Sequence, residues 1–289
     1  MTGEYVVLRG AKALALPTKS GQYLEVVGNS KDFHQWRSFD HQKNTWFYAD
    51  FSIDLKEILS TSNIQQAELL LGVLQKIQNK NVDLFTLPLF FSTFLEFNPA
   101  WGLGSSSTFI NNLAQWSGQN PFDLLASSFG GSGYDIAVAK EGKPIIYQIK
   151  NNKPHWETVE FNKDFFDEIY FVYLNRKQNS RKEIKSFSQL NFDKKLIEKV
   201  SQITSEIFLT NTLNDFNKLL VEHEQILSKI LNRPTIKAEY FSDFEGNIKS
   251  LGAWGGDFVM VTGKDVKAYF MQKGFKTVIP FSEFILLKS

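Results

Sequence analysis

The stretch Pro99-Ala-Trp-Gly-Leu-Gly-Ser-Ser-Ser107, leading into an apolar run with helical spacing, constrains this chain more than any other. Gly102 and Gly104 allow a tight backbone with no Cβ in the way. Ser105, Ser106 and Ser107 are residue types that cap helix starts with their hydroxyls. The first N–H groups of such a helix lack an intrahelical partner, and the positive end of the helix dipole adds to their attraction for an anion. A phosphate-bearing ligand is one reading of the segment; a loop closed by a capped helix is the other, and these residues alone leave both open. The Walker pattern is absent, because no Gly-Lys-Ser/Thr follows. The dinucleotide fingerprint is absent too, because its third glycine is missing.

The 289 residues suffice for one large domain or two medium ones. With 43% hydrophobic and 22% charged residues, the composition is that of a globular protein. A formal net charge of +1 gives no global field toward nucleic acid or a membrane surface. The absence of cysteine excludes disulfides, thiolate catalysis and Cys-ligated metals, and suits a reducing cytoplasm. The most apolar segment, residues 84–97, is broken by Pro88 and too short to span a membrane. The first residues lack the basic-then-apolar plan of a signal peptide. We therefore expect a cytoplasmic protein that binds neither nucleic acid nor a membrane. The 27 phenylalanines point to an aromatic core.

Periodicity predicts strands over residues 4–8, 13–16, 23–27, 45–53, 90–97 and 169–174. A hairpin is predicted from 136–139 and 145–149 around Glu141-Gly142. Helices are predicted over 65–78, 106–115 and 121–128. Two longer helical stripes come next, one from Leu196 to Ile207 and one from Phe216 to Leu231. A second glycine-rich stretch, residues 251–263, enters a strand. A helix near 264–272 and a strand at 283–287 finish the chain. Character changes near residue 153, which suggests two α+β domains, 1–153 and 154–289.

Four features stand in order along the chain: Gly3-Glu4-Tyr5 with Gly10, the Pro99 to Ser107 loop, Gly131-Ser-Gly-Tyr-Asp-Ile-Ala137, and Leu251-Gly-Ala-Trp-Gly-Gly-Asp257. In this order the sequence resembles the GHMP small-molecule kinases, named for galactokinase, homoserine kinase, mevalonate kinase and phosphomevalonate kinase. The first and third features are most similar to the phosphomevalonate kinase branch. The resemblance implies a two-domain α+β fold. Its N-terminal part would be a ribosomal-protein-like βαβ nucleotide domain and its C-terminal part a ferredoxin-like domain. It implies ATP and Mg²⁺ as cofactors, with the ATP phosphates on Gly102, Leu103, Gly104, Ser105, Ser106 and Ser107. The metal would be held by the hydroxyl of Ser105 or Ser106. Asp135 would be the catalytic carboxylate, taking a proton from the acceptor or orienting it. Glu4, Gly133, Tyr134, Gly252, Ala253, Trp254 and Gly255 would line the substrate. The implied reaction is phosphoryl transfer to a small metabolite, mevalonate or phosphomevalonate first. A diphosphomevalonate decarboxylase reaction and a non-catalytic nucleotide-binding role are the rivals. A homodimer is compatible with this reading.

Family members place a strand bearing Gly-Lys just ahead of the first motif. The resemblance therefore implies about 10 to 15 residues upstream of Met1, a strand with its lead-in, pairing beside residues 4–8. Trp101 would crowd the phosphate loop, and Trp254 would either narrow the substrate pocket or belong to the core. His34, His41, His155 and His223 are expected at the surface or on a helix face. Residues 150–153 are expected in a solvated linker, and Glu222 and Glu224 on the polar side of an amphipathic helix. None of these is assigned a function.

Overall fold

The computed structural model describes residues 1–176 and 180–287. It is an α+β structure whose chain folds into two compact units. The smaller unit is Ser20–Pro99 with Gly104–Ile136, and the larger is Met1–Lys19, Ala100–Leu103 and Ala137–Ser289. This corrects the expected cut at residue 153, because both units are assembled from separated segments. In the larger unit, the strand Ala13–Ala15 pairs antiparallel with Ile145–Lys150, which joins the N-terminus to the C-terminal half of the chain.

The smaller unit is built on a five-stranded sheet. Its order is Gln22–Gly28, Leu89–Leu95, His34–Phe39, Thr45–Phe51 and Ile58–Thr61. Neighbours are antiparallel except Leu89–Leu95 beside His34–Phe39. The helix Ile64–Lys80 starts where the Asn63 side chain accepts from Gln66 N, and it buries Ala67, Leu70, Val73, Leu74 and Ile77. These pack in one core with Trp36, Phe51 and Phe91 of the sheet, and with Ile110, Leu113 and Ala114 of the helix Ser105–Ser117.

The strand His34–Phe39 escaped the periodicity reading because its buried face carries His34 and Ser38. Both are satisfied inside. His34 Nδ1 accepts from Leu89 N, and its Nε2 faces Ile53 O at 3.1 Å. Ser38 Oγ accepts from Trp36 Nε1 and Thr93 Oγ1. His34 is thus a core residue, not a surface one.

The larger unit holds two antiparallel sheets. One is ordered Ala13–Ala15, Ile145–Lys150, Lys153–Thr158; the other Gly246–Ser250, Phe258–Gly263, Ile169–Tyr173, Val278–Pro280. Its core is phenylalanine-rich as expected, with Phe166 stacked on Phe281 at 4.0 Å and Phe284 in contact with both Phe171 and Phe258. The helices Lys194–Glu206 and Leu213–Leu231 bury the stripes predicted for them.

Three predicted elements come out differently. Residues 136–139 lie in the helix Tyr134–Glu141. The hairpin is instead Ile145–Lys150 with Lys153–Thr158, turned through Asn151 and Asn152 at φ of 50° and 59°. Two consecutive positive-φ residues are what a two-residue hairpin turn requires, so residues 150–153 are its tip and not a linker. Residues 4–8 are not a strand. Val6–Arg9 form a 3₁₀ turn instead. At the C-terminal end, Phe281–Phe284 is a helical turn. Among the described residues no helix is long and apolar enough to cross a membrane.

Candidate active site

In the smaller unit the glycine-serine loop opens onto a bare helix start. Gly104 is the N-cap of Ser105–Ser117, at φ 70° and ψ 27°, and no side chain caps the helix. The serines thus occupy its first turn instead of capping it. Ser107 N and Thr108 N both donate to Gly104 O. The N–H groups of Ser105 and Ser106, and the hydroxyls of Ser105, Ser106 and Ser107, have no partner among the described residues. Ser106 is exposed, with Ser105 and Ser107 half-buried. Two donors and three hydroxyls are therefore free at the positive end of a 13-residue helix.

Asp135 sits beside this start, in the first turn of the helix Tyr134–Glu141. A Cβ placed on Gly104 would lie 3.5 Å from Asp135 Cβ and Cγ. The two motifs meet here, with room for ordinary contact between position 104 and the Asp135 side chain. Burial raises the Asp135 carboxyl to about 6. It makes no hydrogen bond or ion pair among the described residues, so it is poised to exchange a proton near neutral pH. Gly133, at φ 80° and buried, turns the chain into this helix, and Tyr134 N approaches Ser132 Oγ at 3.5 Å.

In the larger unit Gly102 is pressed against Asp257. A Cβ on Gly102, whose φ is 66°, would coincide with the Asp257 carboxylate. Leu103 packs against the core. Trp101 does not crowd the loop, since its ring lies edge-on to Phe258 at 5.5 Å and tilted to Tyr173. Within the glycine stretch Leu251–Asp257, Gly252 and Gly255 keep access to solvent. Ala253 and Trp254 are buried, and Trp254 Nε1 donates to Pro234 O. Of the two places expected for Trp254 the core one holds, because its indole fills the aromatic core and satisfies its N–H there.

Glu4 also departs from expectation. It is buried in a cluster with Lys249, Glu224 and His223. Lys249 Nζ lies 2.8 Å from Glu4 Oε1 and 3.6 Å from Glu224 Oε1. Burial alone would raise the Glu4 carboxyl, but Lys249 and then the N-terminus and His223 hold it at about 2. Glu224, buried with the weaker hold on the same lysine, is pushed up to about 7. Burial, with Lys249 adding to it, pushes His223 down to about 3 and keeps it neutral. A carboxylate already paired to a buried lysine is not placed to bind a substrate. Sequence reasoning missed Lys249, Glu224, His223 and the contact of Asp257. One signal was present: positions 223 and 224 fall inside the apolar stripe between Leu220 and Leu227, where helix geometry demands burial.

No protein-family model matches the sequence, and no curated protein matches it. Among solved structures, the chain is similar over 99% of its length to a Listeria innocua protein, at a TM-score of 0.71 and 15% identity, covering 95% of that chain. It is similar to the Streptococcus pneumoniae phosphomevalonate kinase in complex with phosphomevalonate and AMPPNP, at a TM-score of 0.65 and 16% identity, covering 99% of this chain and 95% of that one. It is also similar to L. major mevalonate kinase in complex with R-mevalonate, at 0.65 and 17%, covering 98% and 90%. The chain has the α+β fold of the GHMP kinases. Within that fold, its solved neighbours include mevalonate, phosphomevalonate and heptose-phosphate kinases and a galactokinase.

Proposed function

We propose that this chain is an ATP-dependent kinase of a small metabolite, with mevalonate or phosphomevalonate the first acceptors to try. The observation that carries the reading is Asp135. It is an uncommitted carboxyl raised to about 6, lying against Gly104 where the helix Ser105–Ser117 presents free N–H groups and hydroxyls. The fold supports the reading, and so do the neighbours that bind phosphomevalonate with AMPPNP, and mevalonate.

The free N–H groups of Ser105 and Ser106 suit ATP phosphates, and Gly104 leaves the backbone open for them. Mg²⁺ fits a hydroxyl of Ser105 or Ser106 together with the phosphates; this cation is commonly held by few protein ligands and by its substrate's oxygens. Bound there, it would neutralise charge on the transferred group. Asp135, ionised above about pH 6, accepts the proton of an acceptor hydroxyl. The oxygen attacks the terminal phosphorus, the bond to the leaving ADP oxygen breaks, and the proton ends on the carboxyl. In the smaller unit Gly133 and Tyr134 remain the acceptor-side candidates; in the larger unit Gly252 and Gly255 do.

The test is incubation with ATP, Mg²⁺ and each acceptor, with ADP and phosphorylated product measured directly. Phosphorylated product without carbon dioxide supports the kinase; carbon dioxide release assigns the decarboxylase reaction instead. ATP that binds and is never turned over with any small hydroxyl or phosphate acceptor leaves only the nucleotide-binding role.

A further inference from the structure

Three consecutive residues near the start of the chain reach the glycine stretch of residues 251–257 or its supports, all inside the larger unit. Gly3 N donates to His223 Nε2 at 2.9 Å. Glu4 Oε1 accepts from Lys249 Nζ at 2.8 Å. Tyr5 Oη accepts from Trp254 N at 2.6 Å. The same buried charges seize Ser250, the residue ahead of the loop. Lys249 Nζ donates to Ser250 O at 2.7 Å, and Glu224 Oε2 accepts from Ser250 N at 3.1 Å. Ser250 Oγ in turn lies 3.5 Å from Gly255 N. The loop is therefore gripped at its entrance and at its middle.

The turn that does this is strained. Tyr5 stands at φ 61° and ψ −55°, a region that an aromatic residue avoids. Gly3, at φ 81°, has no room for a side chain: a Cβ would lie 2.5 Å from Lys12 O and 2.8 Å from Ala13 Cα. Strain of this kind persists only where surrounding contacts over-determine it. The cluster is not arranged for stability alone, since Glu4 Oε2, Glu224 Oε1 and His223 Nδ1 are buried without a hydrogen-bond partner among the described residues. Apolar residues of similar volume would fill the space at less cost. What the buried charges supply in their place is fixed hydrogen bonds to the backbone of the loop.

We propose that Gly3-Glu4-Tyr5 is a clamp, with Lys249 and Glu224, that presets the conformation of residues 251–257; Glu4 and Tyr5 are positioning residues and not substrate contacts. The effect on catalysis rests on the kinase reading above; the clamp on the loop does not.

The test uses the full chain with Tyr5→Phe, which removes one hydroxyl, and Glu4→Gln, which keeps shape and an acceptor. If Glu4→Gln fails to fold, Glu224→Gln replaces it. Hydrogen exchange of the amides in residues 251–257 should quicken at least about tenfold, the loss of roughly one hydrogen bond. The helix Ser105–Ser117 should exchange as before. With ATP and the acceptor that the wild type uses, acceptor KM should rise several-fold while KM for ATP holds. Glu4→Ala should be worse than Glu4→Gln. Unchanged loop exchange in both variants overturns the clamp whatever the activity. Faster exchange with unchanged acceptor KM and kcat overturns the positioning role. A wild type that phosphorylates nothing sinks the kinase reading, and the exchange result still decides the clamp.

Discussion

Burial governs how Asp135 holds its proton. Its folded pKa, about 6, lies above the ordinary carboxylate value of 3.8, so the folded state holds its proton more firmly than the unfolded chain. The stability this contributes is complete below about pH 3.8 and is lost as pH rises through about 6. Asp135→Asn cannot ionise, so it should melt higher than wild type at pH 8, with the gap closing toward pH 5. Its turnover should fall roughly a hundredfold or more if the carboxylate is the base. The rising limb of kcat near pH 6 should vanish with it. A variant that keeps that limb, or wild-type turnover, removes Asp135 from the chemistry. The sequence singles out Asp135 because Ser-Gly-Tyr-Asp stands in a series of motifs. Glu4 belongs to the same series and lies in a buried cluster with Lys249, and Trp254 takes the core one of its two expected places. Nothing local tells whether a glutamate will meet a buried lysine 245 positions away.

At the scale of elements, Gly102 and Gly104 separate conformation from space. Both stand in the left-handed region, at φ 66° and 70°, so alanine carries a similar backbone penalty at each. Only at Gly102 does the new methyl meet an occupied position, the Asp257 carboxylate; at Gly104 it reaches ordinary contact with Asp135. Gly102→Ala should therefore lose about 1–3 kcal/mol more stability than Gly104→Ala, read from urea denaturation. Equal losses would mean that Asp257 yields without penalty. Gly104→Val should weaken ATP binding by calorimetry in a folded protein, because the branched side chain intrudes where the phosphates are proposed to lie. Unchanged ATP affinity would rule the cradle out. Helices with a full apolar stripe were legible to within a few residues, Ile64–Lys80 and Leu213–Leu231 among them. The strand His34–Phe39 was not, since polar side chains satisfied by other strands mask its buried face.

At the scale of the molecule, each unit draws on segments that are distant in sequence. A fragment of residues 154–289 lacks Val6, Leu14 and the strand Ile145–Lys150 that complete the larger unit. It should stay unfolded or molten, with collapsed amide dispersion by NMR. A fragment of residues 20–136 contains the whole smaller unit and should give a dispersed spectrum and a cooperative melt. A well-folded 154–289 would restore the simple cut at residue 153. Local sequence carried the long amphipathic helices Ile64–Lys80 and Leu213–Leu231, the places where glycine permits tight turns, and the aromatic character of the core. Each of these is settled by backbone sterics and side-chain periodicity within a dozen or so residues. The tertiary structure alone decided that Ala13–Ala15 pairs with Ile145–Lys150 and that residues 136–139 are helical. It also decided that Glu4, Lys249, Glu224 and His223 share one buried site. Such partners lie far apart along the chain, and what a polar group meets on burial depends on surfaces that exist only once the units have closed.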